Sequence, residues 1–236
     1  VDFSKFGEIE ELPLSRIQQR SKDNLHRSWL NVPHVTQFDE VDITDLEEDR
    51  RSRKEEALKT GYKLSILPYL MKATVAALKE HPRLRSSLHP SGESLILKHY
   101  FHLGIAVDTE NGLVVPVIRD VDQKSLYDLA VELAEVSERA RVGKLQMTDI
   151  QGACFSISSL GGIGGTGFTP IVNAPEVGIL GVSRSRKQPV WWDDAFVPRL
   201  ILPFSLSYDH RVVDGAEAAR FTTRLAKALT DVESLV

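Results

Sequence analysis

Two short motifs in this sequence contain residue types that could carry out chemistry. The segment "LSYDHRVVDG" (206–215) places His210 at the end of an alternating, strand-like run, and Asp214 follows it in the same segment. The segment "GIGGTG" (162–167) has the glycine spacing of a loop that binds dinucleotides. The first motif favours acid–base catalysis by an imidazole, and the second favours phosphate binding. The two motifs therefore predict different enzymes.

The glycine-rich segment lacks the helix that a dinucleotide-binding loop requires. In such a loop a strand is followed by a glycine turn and then by a helix whose N-terminus faces the pyrophosphate. Here the segment "FTPIVNAPEVGILGV" (168–182) follows the glycines, and it contains prolines and another strand-like run. The sequence therefore favours a glycine-rich loop between two strands over a nucleotide site.

His210 differs from the other histidines in its sequence context. It follows a strand and precedes Asp214, a residue type that caps the free N–H groups at the start of a helix. Such a turn is held rigidly and can project a side chain into a cleft. The other six are interpreted as hydrogen-bonded structural residues, and we expect no metal site from them: His26, His34, His81, His89, His99 and His102.

The spacing of apolar residues predicts one mixed α/β domain that positions these motifs at strand ends. Helical periodicity covers the segments 14–30, 44–61, 65–82, 125–143 and 214–232. Strand-like runs cover 34–43, 94–109, 112–121, 152–160, 176–185 and 196–208, with a turn at Glu110, Asn111 and Gly112. The pattern Thr44…Glu47 predicts a capping box at the start of the second helix.

Composition and charge exclude several classes of protein. The 236 residues are 42% hydrophobic, enough for a sizeable core. A net charge of −4 argues against nucleic acid as the main partner. Cys154 is the one cysteine, which excludes an internal disulfide and fits a reducing compartment. No apolar run approaches the roughly 20 residues of a membrane helix, and the acidic start is unlike a signal peptide. We therefore expect a cytoplasmic protein.

Several segments together resemble one family, the CoA-dependent acyltransferases. His210 with Asp214-Gly215 matches the HxxxDG motif of this family, which includes chloramphenicol acetyltransferase and the E2 cores of 2-oxo acid dehydrogenase complexes. "NVPHVTQFDEVDIT" (31–44), "GIAVDTENGLVVPVIRDV" (104–121), "CFSISSLGGIGGTGFTPIVNAPEVGILGV" (154–182) and "LPFSLSYDHRVVDGAEAARF" (202–221) resemble E2 core segments in the same order. The resemblance covers essentially the whole chain, and its first segment, "VDFSKFGEIEELPLSRIQ" (1–18), most resembles the pyruvate-type members.

The resemblance implies a fold, a reaction and three catalytic roles. The fold is a single α/β domain like chloramphenicol acetyltransferase, with a mixed β-sheet flanked by helices (21–236) and an N-terminal, inter-subunit arm (1–20). The reaction is transfer of an acetyl group from a dihydrolipoyl group to coenzyme A, without a metal. His210 would be the general base on the CoA thiol, and Ser158 would stabilise the oxyanion, with Ser159 as its competitor. Asp214 would orient the loop of His210, by capping or by pairing with an arginine.

The family's CoA site is matched at further positions. Arg50 matches an arginine that meets the CoA phosphates, although a solvated charge in the run "EEDRRSRKEE" (47–56) is a strong alternative. The other matching positions are Ser65, Asp108, Ser158, Ser159, Gly162, Ser183 and Ser185. The glycines of the segment 162–167 would then let the pantetheine arm of CoA pass close to the backbone.

The resemblance also implies partners. A homotrimer would assemble into a 24-subunit cubic core of the pyruvate dehydrogenase complex, with Leu235 and Val236 as an apolar tip that docks into a neighbouring trimer. The lipoyl domain and the domains that bind the E1 and E3 components would precede residue 1. Three alternatives stay open: an acyltransferase of a related 2-oxo acid complex, a free-standing acetyltransferase for a small hydroxyl substrate, and a purely structural core.

Overall fold

Six α-helices and nine strands form within the residues that the computed structural model describes, which are 1–59, 61 and 63–236. The helices are α1 (Arg16–Asn31), α2 (Thr44–Ser52), α3 (Lys54–Lys59), α4 (Leu67–Glu80), α5 (Leu126–Arg141) and α6 (Gly215–Thr230). The strands are β1 (His34–Asp42), β2 (Ser86–Leu88), β3 (Leu95–Leu97), β4 (Leu103–Ile105), β5 (Val117–Ile118), β6 (Phe155–Ser159), β7 (Gly178–Val182), β8 (Arg186–Trp192) and β9 (Ala195–Asp209).

The strands form one seven-stranded mixed sheet and a separate hairpin of β2 and β3. In the large sheet the order is β1-β9-β7-β6-β4-β5, and β8 pairs with the first half of β9. The strands β4, β6 and β7 are parallel, whereas β9 is antiparallel to β1, β7 and β8. The long strand β9 therefore pairs with three other strands, and it ends immediately before His210.

The two faces of the large sheet differ in character. Side chains alternate along β6, so Phe155 and Ile157 point to one face while Ser156 and Ser158 point to the other. The first face packs against α4, α5 and α6 in a continuous apolar core. The second face is polar and is partly covered by α1. Its hydroxyl residues come from β1, β6 and β9: Thr36, Ser156, Ser158, Ser205 and Ser207.

Several predicted elements are confirmed. The helix α4 is buried on nearly all sides, as its apolar composition predicts. The N–H of Glu217 donates to Asp214 Oδ1 at 2.8 Å, so Asp214 caps α6. The turn at Glu110–Gly112 forms, with the N–H of Gly112 donating to the carbonyl of Thr109 at 3.0 Å.

The predicted capping box at Thr44 is wrong. Thr44 is already inside α2, and its hydroxyl donates to Asp42 Oδ1 at 2.6 Å while it accepts the N–H of Leu200 at 2.8 Å. Glu47 instead binds the guanidinium of Arg50. The predicted helix 44–61 is also divided at Arg53 into α2 and α3, and its residue Thr60 lies outside the described residues.

Two predicted strands are only partly present, because few of their residues pair with a neighbouring strand. The run 94–109 contains only the short strands β3 and β4, and the run 112–121 contains β5 and a single bridge between Val107 and Val114. The strand β8 was not predicted. At the C-terminus, Leu235 is 2% exposed and packs into the core of its own chain, so the predicted apolar tip is reduced to Val236. None of the helices in the described ranges is long and apolar enough to cross a membrane.

Candidate active site

His210 lies where the backbone leaves the sheet at the end of β9. Its N–H donates to the carbonyl of Pro33 at 3.1 Å, which holds the residue beside the start of β1. The imidazole is exposed and packs against the ring of Tyr208, with 5.8 Å between the ring centroids. Within the described chain neither ring nitrogen has a hydrogen-bond partner, so both can contact a substrate or a second subunit.

The turn that presents His210 is held by Asp209, a residue to which the sequence analysis gave no role. Asp209 is 2% exposed, and its carbonyl accepts the N–H groups of Val212 and Val213, both at 3.0 Å. Its carboxylate accepts the N–H of Arg211 at 3.0 Å and pairs with the guanidinium, with 2.6 Å between Oδ2 and Nη2. The carboxylate and guanidinium that flank His210 in the sequence were the signal for this anchor.

Asp214 acts on the other side of the same turn. Its carboxylate is exposed and accepts the N–H of Glu217, and this hydrogen bond holds the pKa of Asp214 below its ordinary value. Of the two roles predicted for Asp214, capping is therefore the one observed. Asp209, and not Asp214, forms the ion pair with an arginine, which is Arg211.

Ser158 lines a cavity of about 510 Å³ between α1 and the polar face of the sheet. Apolar side chains form most of its walls, among them Ile17 of α1, Leu113, Ile171 and Ile179. The other hydroxyls of this face are hydrogen-bonded within the chain: Ser156 to Glu176, Ser205 to the carbonyl of Phe168, and Thr36 to Ser207. Within the described residues the hydroxyl of Ser158 has no partner, so it can donate to a bound group.

Strand alternation separates Ser158 from its competitor Ser159. Ser159 is the last residue of β6 and points to the opposite face, away from the cavity floor. Its Oγ lies near Gly161, which in turn approaches the carbonyl of Ser183 so closely that a Cβ on Gly161 would be 3.3 Å from that oxygen. The geometry therefore favours Ser158 over Ser159 as the donor to an oxyanion.

Two glycines on the polar face of the sheet leave room for serine hydroxyls of neighbouring strands. A Cβ on Gly104 of β4 would lie 2.6 Å from Ser156 Oγ, and a Cβ on Gly181 of β7 would lie 2.5 Å from Ser205 Oγ. Both distances are shorter than any ordinary contact. The serine hydroxyls of the neighbouring strands therefore occupy space that only glycine leaves open.

Ser158 and His210 of one chain are far apart. Ser158 pairs with Gly181, and Gly181 pairs with Ser205, which precedes His210 by five residues along β9. Five residues span about 17 Å and two strand spacings about 10 Å, so the two Cα atoms are roughly 20 Å apart. A serine and a histidine at this distance cannot act on the same carbonyl group.

Arg50 is held inside its own chain. Its Nε and Nη2 bind the carboxylate of Glu47 at 2.7 and 2.8 Å, and its Nη1 donates to the carbonyl of Leu64 at 2.8 Å. The hydrogen bonds that Arg50 donates to Glu47 raise the pKa of Arg50 and lower the pKa of Glu47. Arg50 is therefore an ordered, paired cation, and each of its terminal nitrogens keeps one further N–H.

The remaining predicted CoA positions fall into two groups. Ser183 is buried and Ser185 half-buried, at the end of β7 beside the glycine loop, where Gly162 is exposed. Asp108 is exposed after β4, and Ser65 is exposed before α4 next to the residue that Arg50 binds. The structure thus brings Ser159 and Ser183 together around Gly161, but it does not bring Arg50 to them.

Glu176 is a second residue that the sequence analysis missed. It is 4% exposed, and its carboxylate accepts the hydroxyl of Ser156 at 2.7 Å and an N–H of Asn173 at 3.1 Å. Burial raises the pKa of Glu176 to about 7. Among the histidines, His34 is structural as predicted, because its Nδ1 bonds to the carbonyl of Val32 and its Nε2 accepts the N–H of Val172.

Comparison with known proteins assigns the chain to a family. Residues 6–236 match the model of the 2-oxoacid dehydrogenases acyltransferase catalytic domain. The chain belongs to the 2-oxoacid dehydrogenase acyltransferases. The acyltransferase domain is 62% identical over all of its 236 residues to the dihydrolipoyllysine-residue acetyltransferase component of the pyruvate dehydrogenase complex of Pseudomonas aeruginosa, and it spans 43% of that relative. It thus spans less than half the length of this relative.

Solved structures extend the comparison to the fold of the acyltransferase domain. The dihydrolipoamide acetyltransferase of Azotobacter vinelandii has a TM-score of 0.98 at 62% identity, over 100% of this chain and 97% of that one. The cubic core of a pyruvate dehydrogenase multienzyme complex gives the same values. A chloramphenicol acetyltransferase, 17% identical, has a TM-score of 0.55 over 88% of this chain and 94% of its own. The predicted fold class is confirmed.

The Azotobacter vinelandii structure also allows a comparison of residue spacing. It is described as an investigation of the role of a serine, a histidine and an asparagine in that enzyme's catalytic mechanism. The three follow one another at the same spacing as Ser158, His210 and Asp214. This domain carries a carboxylate where that enzyme has an amide.

Proposed function

We propose that this domain transfers an acetyl group from S-acetyl-dihydrolipoyl to coenzyme A, as the core of a pyruvate dehydrogenase complex. The observation that carries the proposal is the shared spacing of Ser158, His210 and position 214 with the catalytic residues named for the Azotobacter vinelandii enzyme. The free hydroxyl of Ser158 in the cavity and the free imidazole of His210 support it, because both groups are available for a reaction.

The chemistry assigns one proton carrier and one oxyanion donor. His210 takes the proton from the CoA thiol, which attacks poorly until it is a thiolate. The thiolate sulfur forms a bond to the acetyl carbonyl carbon, and the resulting oxyanion accepts a hydrogen bond from Ser158. The bond between that carbon and the dihydrolipoyl sulfur then breaks, and the imidazolium returns its proton to the leaving sulfur. Asp209, Arg211 and Asp214 hold the turn that carries His210.

We propose that each site uses Ser158 of one chain and His210 of a neighbour in a homotrimer. The support is the separation of roughly 20 Å between the two residues within one chain, which follows from strand geometry. In a cyclic trimer the same interface is repeated three times, so three such sites would form.

Two apolar surfaces support self-association. In the N-terminal arm, Phe6 and Leu12 are 81% and 84% exposed. The ribbon of β8 and the first half of β9 projects beyond the rest of the sheet and exposes Trp191, Trp192 and Phe196. A two-stranded ribbon is only marginally stable by itself in water. A second copy of the chain would cover these residues.

Coenzyme A is proposed to bind at the glycine loop and beyond it. Ser159, Gly162, Ser183 and Ser185 form the wall at the ends of β6 and β7, and Asp108, Ser65 and Arg50 are the more distant candidates. Glu47 already occupies the Nε and Nη2 side of the Arg50 guanidinium in a bidentate pair. We therefore expect Arg50 to bind a phosphate through single N–H groups and not in a bidentate pair.

The larger assembly is part of the same proposal. Eight homotrimers would form a cubic core of 24 subunits, supported by the likeness to a cubic-core structure. The lipoyl group and the contacts to the E1 and E3 components would come from domains outside these residues. The site is proposed to work in the cytoplasm without a metal.

Mixing two inactive variants tests the shared site. Chains with Ser158→Ala and chains with His210→Ala are refolded together in equal amounts, and acetyl transfer to CoA from S-acetyl-dihydrolipoamide is measured. A site is complete when its histidine comes from a Ser158→Ala chain and its serine from a His210→Ala chain. Random assembly makes this true for roughly one site in four.

Each variant refolded alone is the control. Recovery near a quarter of the wild-type rate supports a site made by two chains. Recovery at the level of the single variants, with subunit exchange demonstrated by mass, contradicts it. A wild-type chain that acetylates chloramphenicol but not CoA would contradict the reaction itself.

A further inference from the structure

The buried carboxylate of Glu176 orients a chain of polar side chains in the cavity. Its Oε2 accepts the hydroxyl hydrogen of Ser156, and its Oε1 accepts an N–H of Asn173. Asn24 of α1 continues the chain by donating to Asn173 Oδ1 at 3.0 Å. Ser156, Asn173 and Asn24 line the cavity, whereas Glu176 lies behind them. Glu176 therefore acts on the cavity only through its neighbours.

This arrangement fixes the atom that Ser156 presents to the cavity. A serine hydroxyl has one hydrogen and two lone pairs. When the carboxylate is ionised, Glu176 accepts the hydrogen of Ser156, so the lone pairs of Ser156 face the cavity. Ser158 lies two residues farther along β6 on the same face, about 7 Å away, and its hydrogen is free. The floor thus carries an acceptor at Ser156 beside a donor at Ser158.

We propose that Glu176 is a positioning residue which, through Ser156, makes the cavity selective for an acylated dithiol whose second sulfur is a free thiol. This inference rests on the proposed acetyl transfer. In a dihydrolipoyl group two sulfurs are attached to one short chain, and only one of them carries the acetyl group. When the thioester oxygen reaches Ser158, the neighbouring S–H donates to Ser156 Oγ. A thioester of a monothiol has no second S–H group that could donate to Ser156.

A carboxylate is the side chain that can hold this arrangement. Ser156 and Asn173 both donate to residue 176, which therefore needs two acceptor oxygens. Glutamine offers one oxygen and one NH₂ group. In a Glu176→Gln chain the oxygen can still accept from Asn173, but the NH₂ group then donates to Ser156. The hydroxyl of Ser156 would turn its hydrogen toward the cavity, and the acceptor would become a donor.

The test compares two acetyl donors on the same protein preparation. One is S-acetyl-dihydrolipoamide, and the other is an S-acetyl monothiol amide of the same chain length. The values of kcat and KM for each donor, with CoA saturating, are measured for the intact protein and for Ser156→Ala and Glu176→Gln. The assays run at about pH 8, above the pKa of Glu176, so that its carboxylate is ionised.

Ser87→Ala is the matched control. Ser87 is also a buried serine, its hydroxyl donates to the carbonyl of Pro175 at 2.6 Å beside Glu176, and it does not line the cavity. A loss of folded protein lowers the rate with both donors equally, so the ratio of the two KM values is independent of stability.

We expect Ser156→Ala and Glu176→Gln to raise the KM of the dithiol donor roughly three- to tenfold, the value of one neutral hydrogen bond. The KM of the monothiol donor should change much less, so the ratio of the two KM values should shift, and Ser87→Ala should leave this ratio at the wild-type value. An equal change with both donors, or no change with either, would overturn the inference while leaving the proposed reaction intact. A wild-type protein that uses neither donor would overturn both.

Discussion

The stability of the chain should depend on pH through Glu176. In the folded chain burial raises the pKa of this carboxyl to about 7, against an ordinary 4.5. Between these two values the folded state keeps the proton that the unfolded state releases. Folding therefore becomes less favourable as the pH rises, and the contribution is fully present only below the unfolded pKa.

The size of this change in the free energy of unfolding follows from the difference between the two pKa values. Each pH unit in this window is worth about 1.4 kcal/mol. The free energy of unfolding should therefore fall by roughly 3 kcal/mol between about pH 4.5 and pH 7 and then level off. Glu176→Gln removes the titrating proton, so the difference between the wild type and this variant isolates the contribution of Glu176.

Denaturant unfolding at fixed protein concentration measures this difference at a series of pH values. The concentration must be fixed because association stabilises the folded state by mass action. Glu40→Gln, the same change at an exposed carboxyl, gives the reference for losing one surface charge. A wild-type-minus-variant difference that stays flat between pH 4.5 and 7, or that rises with pH, would refute the assignment of a protonated, buried Glu176.

Four further changes test the catalytic and assembly residues. His210→Ala should lower kcat roughly 10²- to 10⁴-fold with an unchanged denaturation midpoint, because it removes an exposed base and no core volume. A wild-type rate would exclude His210 as the base. Ser158→Ala should lower kcat by about 10²–10³, whereas Ser159→Ala should change it only a few-fold. The reverse order would make Ser159 the oxyanion donor. Deleting Val236 should shift the mass seen by light scattering from a closed shell toward trimers. An unchanged mass would mean that other contacts join the trimers.

Sequence reasoning succeeded where the pattern was local and strong. The run that forms α4 is apolar on nearly every position, and such a segment can only be a buried helix. The sequence Asp214-Gly215 at the start of an amphipathic run predicted a capped helix, and the cap is present. The preference for Ser158 over Ser159 came from the family resemblance, and the face on which each side chain lies became clear only from the observed strand β6.

It failed where the decisive partner lies elsewhere in the chain. The strand β8 carries Pro189 opposite Pro198 of β9 and buries neither of its faces, so its sequence lacks the pattern of a buried strand. Thr44 fits a capping box, but Asp42 and Leu200 compete for its hydroxyl. Glu176 is buried beside Ser156, which lies 20 residues earlier in the chain and which only the fold brings to it. Asp209 was missed for another reason. Its partner Arg211 is only two residues away in the sequence, but the burial of Asp209 cannot be seen there.

Two glycines on the polar face of the sheet, Gly104 and Gly181, limit where this protein can be redesigned. At Gly104 and Gly181 even a methyl group would collide with a serine hydroxyl of the next strand, so neither position tolerates a larger residue. The opposite wall is different, because Ile17 belongs to α1 and Leu113 to the loop before β5. A library that aims to admit larger acyl groups should therefore vary Ile17, Leu113 and Ile171 and leave the strands untouched. The rigid half of the cavity would then keep the reacting atoms in register while the other half changes the range of substrates.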